Sequence, residues 1–297
     1  MGVDLELGQV ASLLMLPVLL AWRAMRCGRT VQAGVWLGLC AAFKPFFLLF
    51  LLALGALRAF RAMLAFTGVL IAMLLLGGLL TSFEAYRDYL GMASGVTWTT
   101  TSWNASVVGF FARLFGGGEA APVFFAPWIG RALTVAASLL FVGMVLRRVA
   151  VERSEPSVQQ TDALFAATLP AMLLVSPLGW IYYFPLLLPA VWCVWQATRD
   201  RPRARLILIG AVLPTCIPSG LSSAVQPMDP ARALWGDALY FWCLLTLFML
   251  ACVIHRSTVI RARHAAVMDD DRGNIRPSTE RTPDSPRPPN PSVPGCA

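Results

Sequence analysis

Apolar residues in this chain come in runs, not in the alternation of a half-buried strand or the single stripe of a water-soluble helix. The runs are Val10–Trp22, Val31–Phe43, Phe46–Leu57, Met63–Leu80, Pro122–Leu146, Ala163–Val175, Ile181–Ala197, Leu206–Val225 and Leu234–Ile254. A segment apolar on every face suits a helix in lipid, where each backbone polar group must find its partner within the segment. The pattern predicts an all-α polytopic integral membrane protein with about nine membrane segments, several of them short and paired.

Arginines cluster between the runs: Arg23, Arg26 and Arg29; Arg58 and Arg61; Arg147, Arg148 and Arg153; Arg199, Arg201, Arg203 and Arg205; Arg256, Arg261 and Arg263. Basic residues in short loops stay on the cytoplasmic side. The loops at Arg23–Arg29 and Arg58–Arg61 then share a side, so Val31–Leu57 must enter the membrane and return, turning near Lys44-Pro45. The same parity makes Ala163–Ala197 turn at Ser176-Pro177-Leu178-Gly179-Trp180. The competing arrangement is one long tilted helix kinked at Pro45, with Lys44 snorkelling to the surface. At the start, Asp4 and Glu6 precede the first run and arginines follow it. That polarity is the reverse of a signal peptide and predicts an extracytoplasmic N-terminus and a cytoplasmic C-terminus.

The predicted turn holds a charge. Of 24 Lys and Arg residues, Lys44 is the single lysine. Each half of Val31–Leu57 has about 13 residues, or roughly 20 Å of helix, against a hydrocarbon core of about 30 Å. Short, Pro-interrupted apolar segments belong where they are buried in protein or line a wet cavity. Lys44 is therefore expected in the outer half of the membrane, within reach of an anionic group at headgroup level.

Composition narrows the picture further. The chain has 297 residues, 57% hydrophobic and 13% charged, against about 25% charged for a soluble domain. The net charge of +8 sits in short loops and a tail, as positive-inside topology requires, and is not a nucleic-acid footprint. Seven scattered cysteines and only His255 and His264 make no ligand spacing, so no metal site is expected. No phosphate-cradling glycine loop is present, which argues against a nucleotide-driven reaction. The outward loop, about 81–121, carries "EAYRDYL", with Glu84, Arg87 and Asp88 on one helical face, and "TWTTTSWNAS". The second stretch mixes indoles, hydroxyls and an amide, which suits either an interfacial belt or a sugar. Residues 1–256 form the transmembrane body. Residues 257–297, rich in Pro, Ser, Asp and Arg, are expected to be a disordered cytoplasmic tail.

Four stretches carry a family resemblance: "LGQVASLL" (Leu7–Leu14), "AGVWLGLCAAFKPFFLLFLLALGALRAFR" (Ala33–Arg61), "SWNASVVGFFARL" (Ser102–Leu114) and "VSPLGWIYYFPLLLPA" (Val175–Ala190). In that order they resemble the Gly-Gln segment, Lys-Pro turn, Asn-x-Ser segment and Ser-Pro-x-x-Trp turn of a known family. It is the polyprenyl-phosphate-mannose-dependent mannosyltransferases of glycosyltransferase family 87, in the multi-spanning GT-C superfamily. The resemblance implies a GT-C-like body in the bacterial plasma membrane. It implies transfer of a mannose-type sugar from a polyprenyl phosphate carrier to a glycolipid or glycan hydroxyl on the extracytoplasmic face. The lipid-linked donor is a substrate, and no cofactor or nucleic-acid partner is implied. Lys44, Gln9 and Arg113 are then the candidates for the donor phosphate, and Asn104, Ser106, Trp180 and Tyr183 for sugar or acceptor. The resemblance assigns no catalytic base. The family's essential acid follows its first helix, further helices normally precede the Gly-Gln segment, and neither Asp4 nor Glu6 matches that acid. The chain is accordingly expected to lack the family's N-terminal helices. Tyr182 and Tyr183 stand where the family often carries histidine.

Two other readings fit broken helices and a membrane-embedded charge. A lipid-linked sugar transporter or flippase needs polar residues inside several helices, whereas Lys44 is nearly alone and polar residues crowd the outward loops. A non-catalytic family member would keep the fold without the acid.

Overall fold

The computed structural model describes residues 11–95, 98–117, 121–150, 157–216 and 232–253. Gln9, Arg153, the second half of the run Leu206–Val225 and the tail 257–297 lie outside the described residues. In chain order the helices are α1 (Ala11–Arg26), α2 (Thr30–Phe43), α3 (Leu48–Ala56), α4 (Phe60–Leu80), α5 (Phe83–Ser94), α6 (Val107–Phe115), α7 (Pro127–Val149), α8 (Val158–Val175), α9 (Leu188–Ala197), α10 (Pro202–Val212) and α11 (Leu239–Val253). 3₁₀ turns Pro45–Phe47 and Ile181–Leu187 lead into α3 and α9. No strand occurs among the described residues; one isolated bridge joins Asn104 to Trp180.

Among the described residues three helices, α4, α7 and α8, are long and apolar enough to cross a membrane unaided. The segments 30–43, 45–56, 181–197 and 239–253 are apolar but shorter. Among the described residues the apolar runs therefore do not each become a full span: those on either side of Lys44-Pro45 and the one after the Ser-Pro turn form shorter helices. The spans differ in setting. α8 is buried along most of its length, whereas α4 presents Leu64, Ile71 and Leu79, and α7 presents Val135, Leu139 and Leu140, at the surface. Apolar surface of that extent needs lipid around it.

The chain reverses at Lys44. A Cβ placed on Gly34 would strike the Ala62 carbonyl oxygen, and one on Gly38 would come within 2.5 Å of the Phe66 carbonyl oxygen. Positions 34 and 38 thus face 62 and 66, so α2 and α4 run parallel in close backbone contact. α3 must return between them, which excludes the single kinked helix. Lys44 is extended, with φ −140° and ψ 107°, as the residue before a proline prefers. Phe47 and Phe50, with ring centroids 6.2 Å apart, and Phe165, 5.1 Å beyond Phe50, anchor the turn into the core.

At the opposite end two similar closures make the turns into α2 and α4. Gly28 takes φ 70° while Arg29 N donates to Ala24 O; Arg58 takes φ 59° while Ala59 N donates to Leu54 O. Arg58 holds a left-handed position where glycine is usual. The alternating helix directions gather Arg23, Arg26, Arg29, Arg58, Arg61, Arg147, Arg148 and Arg199 at this arginine end. Lys44, Asn104 and Trp180 lie at the other end, called here the Lys44 end.

Candidate functional site

At the Lys44 end the segment 98–106 crosses to meet the turn 176–180. Ser106 caps α6, its Oγ accepting from Gly109 N at 3.1 Å. This is the use a serine before an apolar run is suited to. Ala105 N donates to Gly179 O at 2.9 Å and Ile181 N to Trp103 O at 3.1 Å, on either side of the Asn104–Trp180 bridge. The Asn104 side chain fills the junction. Its Nδ2 donates to Thr99 O and Pro177 O, each at 3.0 Å. Its Oδ1 accepts from Ser106 N and Gly179 N, each at 3.1 Å. An amide offers two N–H donors and two lone pairs, so this side chain is fully engaged, and Asn104 is completely buried.

Lys44 lies on the same end. Its Nζ is 5.2 Å from the centroid of the Tyr183 ring, and this half-buried ammonium has no hydrogen bond or ion pair among the described residues. A cation held over an aromatic face is steadied without losing its capacity to donate. Phe46 sets its edge against Tyr183 at 5.1 Å, which ties the Lys-Pro turn to the second turn. Tyr183 N donates to Trp180 O at 2.9 Å. Tyr182 stands perpendicular to Trp180, centroids 6.1 Å apart, with Trp103 on it at 6.1 Å. Lys44, Tyr183, Trp180, Asn104 and Ser106, distant in sequence, are thus joined by a continuous set of contacts.

Arg113 belongs to the same structure but sits behind it. It is wholly buried, and Nη1 donates to Thr101 O at 3.0 Å and to Asn104 O at 3.2 Å. Burial lowers this guanidinium to about 10, the nearby Asp237 carboxylate opposes the shift, and the side chain stays cationic at neutral pH. No part of Arg113 is open to a ligand in this arrangement. Asp237 is itself buried, with 5% exposure. The pairing joins residues 124 positions apart, and no local pattern signals it. Trp103 and Tyr182 were also missed as members of the aromatic group. Ser106 as a helix cap was legible in principle, since it immediately precedes the apolar stretch of α6.

An apolar cavity of about 300 Å³ is bordered by Met15, Phe184, Leu188, Val212, Thr215 and Leu244 among others. Its walls come from α1, the 3₁₀ turn 181–187 and α9–α11, the apolar body of the molecule. Its lining suits hydrocarbon rather than a polar ligand.

The features so far define a helical membrane protein with a cationic, aromatic site at one end of its bundle. The sequence model described as glycosyltransferase family 87 matches residues 1–177, more than half of the chain. The chain belongs to glycosyltransferase family 87, a membrane glycosyltransferase family. The matched segment takes in Lys44, Asn104, Ser106 and Arg113 and ends at Pro177, just before Trp180 and Tyr183. No curated protein and no solved structure matches the chain.

Proposed function

We propose that this protein transfers a mannose-type sugar from a polyprenyl phosphate to a glycolipid or glycan acceptor at the extracytoplasmic face of the bacterial plasma membrane. The observation that carries the reading is Lys44: a half-buried ammonium without an anionic partner among the described residues, held over Tyr183. Its natural complement is a phosphate. The apolar cavity lined by Phe184, Leu188 and Leu244 supports a substrate that carries a hydrocarbon chain. Trp180 and Tyr183 supply aromatic surface for a sugar ring. In glycosyl transfer from a lipid phosphate, the bond from the anomeric carbon to the phosphate oxygen breaks while the acceptor oxygen bonds to that carbon. Negative charge grows on the departing phosphate, and a cation placed there stabilises it more in the transition state than in the ground state. The acceptor proton leaves to a carboxylate base, which is not among the residues assigned here.

Lys44→Ala is expected to lower transfer by about 10²-fold or more, as removal of a preorganised charge-stabilising group does, with expression unchanged. Lys44→Arg should recover part of it, since a planar fork replaces a compact ammonium. Assay of purified variants with labelled polyprenyl phosphate mannose decides the matter, and full activity in Lys44→Ala overturns the assignment. Reporter fusions at Arg58 and Arg199 should both report cytoplasm; an extracytoplasmic signal at either reverses the proposed sidedness.

A further inference from the structure

We infer that Asn104 is a positioning residue, not a sugar ligand: it locks segment 98–106 to the turn 176–180 and so sets where Trp180 lies and, through it, the Tyr183 ring that faces Lys44. The inference rests on the reading of Lys44 as the phosphate site and goes beyond it.

Three observations carry it. All four hydrogen-bonding positions of the Asn104 side chain are taken by backbone groups, from Thr99, Ser106, Pro177 and Gly179. A sugar hydroxyl would have to displace one of them. Next, the surroundings are shaped for this amide. A Cβ on Gly109 would come within 2.8 Å of Asn104 Cγ, and a Cβ on Gly179 would strike the Leu173 carbonyl oxygen and lie 3.1 Å from Ser106 Cβ. Glycine at both positions lets the two segments close on the asparagine. Finally, Arg113 holds the same peptide from behind through Asn104 O and Thr101 O. Segment 98–106 is thus gripped on one side by α6 and on the other by the turn. From Trp180 the register passes directly to Tyr183 through Tyr183 N→Trp180 O, and from Tyr183 to the Lys44 ammonium. The amide therefore acts on the cation through two turns of backbone, touching neither phosphate nor sugar.

A ligand role and a positioning role separate when the sugar is left out of the assay. The full chain, its Asn104→Ala and Asn104→Asp variants, and Lys44→Ala are purified in lipid nanodiscs. Binding of polyprenyl phosphate without sugar is measured alongside amide hydrogen exchange of segments 98–106 and 176–183. Asn104→Ala should speed exchange in both segments together by about tenfold or more, as expected when a buried multi-bond junction opens locally. Exchange in α4 and α8 should stay unchanged. Affinity for the sugar-free lipid phosphate should fall several-fold. Asn104→Asp keeps both acceptor bonds but sets a carboxylate oxygen against the Thr99 and Pro177 carbonyls in a fully buried site, so it should speed exchange in both segments at least as much as Asn104→Ala. Unchanged exchange, or a change in one segment only, overturns the junction. Unchanged affinity for the sugar-free lipid, with weaker binding of the sugar-bearing donor, restores Asn104 as a sugar ligand and overturns the inference. Unchanged affinity in Lys44→Ala, by contrast, refutes the phosphate reading and leaves the exchange result to judge the junction by itself.

Discussion

At the Lys44 end, one amide is bonded to four backbone groups. At the arginine end, one carboxylate gathers side chains. Asp162 Oδ1 accepts from Trp22 Nε1 at 2.9 Å and lies 3.5 Å from Arg26 Nε. The Cys193 thiol is hydrogen-bonded to the same carboxylate, and the Arg26 guanidinium lies 5.1 Å from the centre of the Trp22 ring. This clasp joins α1, α8 and α9, with Arg26 and Asp162 side chains 34% and 21% exposed. The two devices do different work. Bonds from a side chain to backbone dictate the path of the main chain, and they need room that only glycine leaves at Gly109 and Gly179. Bonds between side chains on neighbouring helices set helix spacing, and rotamer changes can absorb an altered partner. The Lys44 end should therefore be intolerant of small changes in shape, and the arginine end tolerant of changes in chemistry.

The largest expected effect tests the first half of that contrast. Gly179→Ala adds one methyl group against the Leu173 carbonyl, a contact that no side-chain movement relieves. It should cost about 3 kcal/mol, the upper range for overpacking, read as a lower detergent-unfolding midpoint together with loss of transfer. A midpoint within about 0.5 kcal/mol of wild type would mean that the turn yields and that the contrast is wrong. Asp162→Ala comes next. It leaves Trp22 N–H and the Cys193 thiol without their acceptor and Arg26 without its counter-charge. Partial exposure softens the loss to about 2 kcal/mol, with the transfer rate kept at temperatures where the protein stays folded. A fall in transfer as steep as that of Gly179→Ala would show that the clasp reaches the site. Asp162→Asn preserves an acceptor for Trp22 and removes the charge, so about 1 kcal/mol is expected. If Asn and Ala cost the same, the ion pair, and not the indole hydrogen bond, carries the clasp.

Much of this architecture can be read along the chain. The runs of apolar residues mark the helices, and the parity of the arginine clusters already requires reversals near Lys44-Pro45 and at 176–180. Both readings work because they depend on local properties, burial preference and charge, that hold whatever the neighbours are. The number of full spans was less legible. Prolines and polar turns cut several runs into helices too short to cross alone, and packing makes such pieces tenable: α2 lies against α4, and α3 and α9 lie against α8.

At the Lys44 end, residue type and neighbouring motif single out the candidates along the chain: the lone lysine, the aromatic residues after the Ser-Pro turn, the asparagine and the arginine. How each is used depends on the partners that folding brings to it. Asn104 finds Pro177 across 73 residues and Trp22 finds Asp162 across 140. A polar side chain advertises donors and acceptors, but its partners are chosen by which backbone groups the fold leaves unsatisfied nearby. Asn104 and Arg113, both expected at the ligand, meet carbonyls and amides that segment 98–106 and the turn 176–180 present, whereas the Lys44 ammonium faces the Tyr183 ring and has no anionic partner among the described residues.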